Sequence, residues 1–255
     1  ADEDAEKSVT SGQEDTGNIE VSANSAEGGS IVTLGEDGST VVTIPVSADA
    51  MVRSGNDYKN KNYGTTPNLI SAAKDGTLSR EIFLKFDLSA LRDRGDVVTK
   101  AELYVTYGPA SEATDSRNSR EYKLYYVDDD SWVEGSKNEA TTNLKGALTW
   151  DSSRTMAADS ELIYDSGSEM LIKDYQTPTV IDATKAFEKD RDDLLSLRLV
   201  TGYTGTQTWG IHIFSKEAEV DAAFKPHLVL TTVNDPDMKQ VINDAKSIVI
   251  EDKDG

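Results

Sequence analysis

From Arg80 the chain reads R-E-I-F-L-K-F-D, with Ile82, Leu84 and Phe86 alternating against Glu81, Phe83, Lys85 and Asp87. A period of two marks a strand with one face in a core and the other toward solvent. The same alternation returns in Leu195, Leu197 and Leu199 against Ser196 and Arg198, and in Leu103, Val105 and Tyr107 against Tyr104 and Thr106. Runs of this texture follow one another from Val41 to Val233: VVTIPV, AMV, NLISA, IFLKFDL, VTKAELYVTY, EYKLYYV, TVIDA, LLSLRLV, WGIHIF and HLVLTTV. Short strands separated by polar turns predict an all-β fold, a two-sheet antiparallel β-sandwich of jelly-roll type with long loops. Helix is expected only as a turn at 88–92 and a short segment at 184–189. The polar stretches 111–120 and 136–145 have no periodicity and are expected to be exposed loops, where sandwiches often carry function.

The strand texture fails at both ends. Residues 1–40 hold ten Asp or Glu against one Lys and few large apolar side chains, which predicts an acidic disordered spacer with one weak strand near Ile31–Leu34. Residues 235–255 place Met238, Val241, Ile242, Ala245, Ile248 and Val249 at helical spacing after Pro236, the pattern of an amphipathic start of a following domain or linker. The sandwich is therefore assigned to residues 41–234. Of the formal charge of −20, −9 falls in 1–40 and −3 in 235–255, which leaves −8 for the sandwich. Such acidity argues against nucleic acid as a partner, because phosphate binding draws on clustered Lys and Arg. An anionic glycan would need a local basic patch acting against the overall field. With no Cys there is no disulfide framework, thiolate nucleophile or Cys-ligated zinc. No stretch reaches the roughly 18–20 apolar residues of a membrane span, and a start at Ala1 rather than Met points to a mature or excised piece.

A series of short motifs stands in order along the chain: ADAMV, NYGTTPNL, a basic residue before FLKFDLS, KAELYVTY, SWVEG, LTW, VIDAT, FSKEA and PHLVLTT. Together they resemble the DNRLRE-type domain, grouped with the alginate-binding carbohydrate-binding modules of family 96, over roughly 41–234. The resemblance implies a secreted or extracellular β-sandwich, in some settings associated with a cell surface, covalently linked to neighbouring domains such as a polysaccharide lyase. It implies a non-catalytic module that recognises an acidic polysaccharide, alginate or a similar polyuronate, and tethers a larger secreted polysaccharide-degrading protein to it. Two other readings stand beside it: a structural or adhesion domain of a bacterial cell-surface protein, and a polysaccharide lyase fragment.

The loop between AMV and IFLKFDL is dense in Asn, Lys, Tyr and Gly, and supplies most of the candidate carbohydrate-binding residues: Arg53, Tyr63, Lys74 and Arg80, with Lys85 on the strand that follows and Lys216 from further along. Arg matches a carboxylate with paired donors and Lys meets it as a point charge. Tyr63 adds a ring edge and a hydroxyl. Arg80 and Lys85 are five apart and project to opposite faces of a regular strand, so Lys85, beside Phe83, is expected on the open one. The competing reading pairs Lys85 with Glu81 or Asp87. Trp132 and Trp150 are expected in the core, and Trp209 is left between core and stacking platform. No cofactor is required. A structural calcium has oxygen donors in Asp128, Asp129, Asp130 and Glu134, or in Asp49 or Asp182 with loop carbonyls, and no ligand set is assigned. No catalytic residue is assigned: the chain lacks GxSxG, HExxH and P-loop patterns, both histidines lie in expected strands, and 46 acids make any one carboxylate pair uninformative.

Overall fold

The computed structural model describes residues 31–34, 39–73, 79–89, 91, 97–108, 119–142, 144–190, 192–203 and 209–233. The expected amphipathic segment 235–255, Lys74 and most of the loop at 111–120 lie outside these residues. The longest described strand, β2 (Thr40–Arg53), takes in both VVTIPV and AMV and serves two sheets. Up to Pro45 it pairs antiparallel with β13 (His227–Val233), and its first residues also pair with β1 (Ile31–Leu34). A register shift between Val46 and Ala48 marks a bulge, which bends the strand and strengthens its twist. Past the bulge β2 pairs with β5 (Arg80–Asp87).

One sheet therefore runs β10 (Thr179–Asp182), β6 (Val97–Val105), β13, β2 and β1. The other runs β2, β5, β11 (Leu194–Thr201), β7 (Glu121–Val127) and β9 (Glu161–Met170). β4 (Asn68–Ala73) joins the start of β5 through Ala72 and Arg80, and carries β12 (Trp209–Phe214). A ribbon of β3 (Lys61–Asn62) and β8 (Ala140–Thr141) lies apart. The main core fills the space between the sheets. Val42, Ile44, Leu103 and Leu228 enter it from one side, and Ile82, Leu84, Phe86 and Leu197 from the other, all buried. The two-sheet antiparallel sandwich is the expected fold. The described helices are short: α1 (Arg154–Asp159) and α2 (Thr184–Lys189), the second at the expected place. β9 and α1 escape the sequence reading. β9 buries only Ile163 and Ser166 of its ten residues, so it has no alternation to detect.

The expectation for β5 needs correction. Its second face is not open. Phe83 is fully buried in a second apolar cluster with Ala50, Val52, Val127, Trp132, Leu148 and Met156. Segments after β7 lie over this face and bring in Trp132, whose ring meets Phe83 edge-on at 6.2 Å. Trp150 packs partly buried against the same cluster, so Trp132 is in the core as expected and Trp150 only flanks it. Lys85 is buried beneath the cover. Its Nζ donates to the carbonyls of Asp130 (2.7 Å) and Trp132 (2.5 Å) and lies 4.3 Å from the Trp132 ring. It pairs with neither Glu81 nor Asp87.

Asp130, at the edge of this cover, has its carboxyl pushed by burial from 3.8 up to about 6, and Asp192 and Asp128 push the same way. The folded state thus holds this proton more tightly than the unfolded one. The associated stability is complete below about pH 4 and is lost as pH rises toward about 6. Asp130→Asn is expected to stabilise the protein at pH 7 by about 1 kcal/mol, a figure discounted because the group is only half-buried. Urea denaturation at pH 7 and pH 4 checks it, and a gain of equal size at both pH values would show that ionisation is not the cause.

Candidate functional site

β2 and β5 end side by side, and their register sets Arg53 directly opposite Arg80. Like charges facing each other across a strand pair are unfavourable unless something anionic meets them. Burial, with Arg53 alongside, holds the Arg80 guanidinium below its ordinary value. The tight turn that follows β2, with Gly55 at φ 99, brings the chain back as β3 and sets Tyr58 and Lys61 over the same spot. The Arg53 guanidinium lies 3.4 Å from the Tyr58 ring centroid, and Lys61 Nζ approaches the same ring at 5.0 Å.

A single carboxylate serves this group among the described residues. Glu139 lies 3.9 Å from Arg53 and 3.6 Å from Lys61, and its side chain is 47% exposed. Its backbone has φ 56, in the left-handed region where a non-glycine residue is strained. Arg80 forms no ion pair among the described residues. The arrangement is thus a cationic spot with a half-buried aromatic ring, balanced by one loosely held exposed acid, in a chain whose formal charge is −20.

The candidate residues separate in three dimensions. Arg53 and Arg80 converge. Tyr63 adjoins them, but its ring is 1% exposed and belongs to the main core, so it offers no stacking surface. Its hydroxyl and Arg53 Nε are both buried without a hydrogen-bond partner. Burial first, then the Glu139 carboxylate, raises the Tyr63 hydroxyl above its usual value. The half-buried ring at the spot is Tyr58. Lys85 lies under the cover of the second sheet, and the expectation that it faces outward is withdrawn. Lys216 is engaged elsewhere, its Nζ 3.0 Å from Glu134 and also bonded to Glu217. Lys59 pairs with Asp151 at 3.3 Å. Trp209 is described in its backbone alone.

Tyr58, Lys61 and Glu139 are site members that the candidate set lacked. Lys61 stands in the NDYKNKNY loop, whose density of donors was the available signal. Glu139 had none, because it arrives from a loop far along the chain. Asn62, between Lys61 and Tyr63, is fully buried and structural: its Nδ2 donates to the carbonyls of Glu134 (2.7 Å) and Leu148 (3.0 Å).

The family model for carbohydrate-binding module family 96 matches residues 40–232. The chain belongs to carbohydrate-binding module family 96. Such modules bind polysaccharide and are typically non-catalytic. No curated protein matches the chain. The matched span runs from the start of β2 to Thr232 in β13, so it takes in the strands of both sheets except β1, and with them the Arg53–Arg80 spot. No helix among the described residues is long and apolar enough to cross a membrane.

Proposed function

We propose that this module binds an acidic polysaccharide, alginate or a similar polyuronate, through Arg53, Arg80 and Lys61, with the Tyr58 ring beside them. The observation that carries the reading is the register pairing of Arg53 with Arg80, two half-buried guanidiniums of which, among the described residues, only Arg53 has a carboxylate in reach, the exposed Glu139. A sugar carboxylate meets Arg80 and competes with Glu139 for Arg53 and Lys61. Guanidinium supplies paired donors of carboxylate geometry, and partial burial strengthens each contact relative to water. The module in this reading acts by local concentration, holding a covalently linked, secreted polysaccharide-degrading partner on its polymer so that two modest affinities act together.

Titration calorimetry of the chain with alginate oligosaccharides tests this. Arg53→Ala and Arg80→Ala are each expected to weaken binding by roughly 1.5–3 kcal/mol, the scale of a charge-assisted hydrogen bond. Lys59→Ala, at an ammonium paired with Asp151, is expected to leave binding unchanged. Raising salt to about 0.5 M should weaken the complex markedly. Equal binding of a neutral glucan, insensitive to salt, would defeat the proposal.

One observation favours the structural or adhesion reading. Among the described residues, two basic side chains are met by one internal acid: Arg154 grips Glu81 through two bonds of 3.1 and 2.9 Å, and Arg198 lies 3.7 Å from the same carboxylate. Binding of no glycan by the intact chain would select that reading.

A further inference from the structure

A second cluster of charge lies just past the β2 bulge. Asp49 on β2, Glu134 in the loop after β7 and Glu217 in the turn after β12 each bring a carboxylate oxygen within 4.8 Å of the others. These residues are distant in sequence, and the bend of β2 brings Asp49 to the two loops. Asp49 is fully buried. Its backbone N–H donates to Glu134 Oε1 at 2.8 Å, and its Oδ2 accepts from the Lys216 backbone N–H at 2.7 Å. The Lys216 ammonium then reaches Glu134 Oε2 at 3.0 Å and Glu217 Oε1.

This network leaves a remainder. Asp49 Oδ1 and Glu217 Oε2 are buried and have no hydrogen-bond partner. Three carboxylates face one ammonium, an excess of two formal negative charges around the fully buried Asp49 and the partly buried Glu134 and Glu217. Buried charges of one sign persist when they are paired or coordinate a metal. Asp49 Oδ1 is the more telling atom, because Asp49 is fully buried and its other oxygen is already taken by the Lys216 N–H.

We propose that Asp49, Glu134 and Glu217 form a divalent-cation site that takes calcium. Calcium binds six to eight oxygens at about 2.3–2.6 Å, so ligands on opposite sides of one ion stand about 4.6–5.2 Å apart. Carboxylate oxygens within 4.8 Å of one another can reach one such ion together. Magnesium dehydrates reluctantly and demands a near-ideal octahedron, a poorer match to three carboxylates carried on separate segments. The Lys216 side chain is 29% exposed, so its ammonium, which bridges Glu134 and Glu217 without the ion, can swing to solvent when calcium enters. The ion would tie β2, the loop after β7 and the turn after β12 together. It would also fix Glu134, whose carbonyl anchors Asn62 beside the polysaccharide spot.

The test uses the full chain, stripped with chelator and then titrated with calcium chloride, followed by thermal unfolding and by calorimetry. Calcium at a few millimolar is expected to raise the midpoint by about 5 °C, with magnesium giving less than half of that, as expected for a ligand that binds only the folded state. Glu217→Gln removes one ligand charge from the site and is expected to abolish the calcium-dependent shift while leaving the chelated midpoint within a few degrees of the parent. Asp49→Asn should do the same, and should this variant not fold, Glu217→Gln alone decides. Glu102→Gln, at a half-buried carboxylate paired with Lys100, is expected to keep the full shift. No shift in the parent chain overturns the proposal. An undiminished shift in Glu217→Gln also overturns it, because the calcium then acts at other acids of the chain.

Discussion

Lys85→Ala is expected to destabilise the module by about 3 kcal/mol while leaving the polysaccharide affinity of the folded protein unchanged. The Nζ group donates to two carbonyls, those of Asp130 and Trp132, beneath the Trp132 ring. Truncation leaves both acceptors buried and unpaired and opens a gap under the indole. Each unsatisfied partner costs about 1–3 kcal/mol, partly offset because a desolvated ammonium is also removed. Burial already lowers the Lys85 pKa, the mark of an amine whose charge is costly where it lies. Lys85→Met keeps the stem and is expected to recover part of the loss. Urea denaturation reads the stability, and calorimetry with alginate oligosaccharide reads the binding. Unchanged stability with lost binding would return Lys85 to the ligand surface.

Gly210→Ala is expected to cost more, at least about 4 kcal/mol, through a backbone collision of the kind that produces the largest single-residue effects. A Cβ at Gly210 would stand 1.8 Å from the Ser71 carbonyl oxygen and 2.8 Å from Ala72 Cα. Those atoms belong to β4, and a backbone cannot yield as the end of a flexible side chain can. Ser71 is also a junction: its hydroxyl donates to the Arg80 carbonyl at 3.0 Å and accepts from Thr201 N–H at 2.7 Å. Pushing β4 aside therefore loosens β5 and β11 together, and with them the Arg53–Arg80 pair. Gly167→Ala is the comparison, since that residue at φ +62 meets nothing within 4 Å. It is expected to lose only about 1 kcal/mol, from the left-handed backbone alone. Comparable losses in the two variants, measured by thermal unfolding, would show that β4 and β12 tolerate separation.

The expected strands were legible where one face meets a core and the other meets solvent, as in β11 and β6. That pattern records a local contrast and survives without knowledge of the partner sheet. It misled for Lys85 because a polar residue in alternation reads the same whether it faces water or two carbonyls beneath a tryptophan. β9 was invisible for the opposite reason: an edge strand that buries two side chains carries almost no contrast. β2 read as two strands because a bulge breaks the period, although the hydrogen bonding runs on from one sheet into the next.

The site divides along the same line. Arg53, Arg80 and the donor-rich segment between them lie in one stretch of the chain, and the antiparallel pairing of β2 with β5 sets the two arginines opposite each other. Side-chain chemistry and proximity in sequence were sufficient to name them. Glu139, which balances their charge, and the triad of Asp49, Glu134 and Glu217 come from segments far apart in the chain. Their meeting depends on the bend of β2 and on the cover laid over the second sheet. The sequence by itself determined the all-β class, the ordered motifs of the family and the basic loop, because each is written in neighbouring residues. Tertiary structure alone decided which lysines are free to meet a ligand and which carboxylates are crowded together, because burial and charge balance depend on residues that only the folded chain makes neighbours.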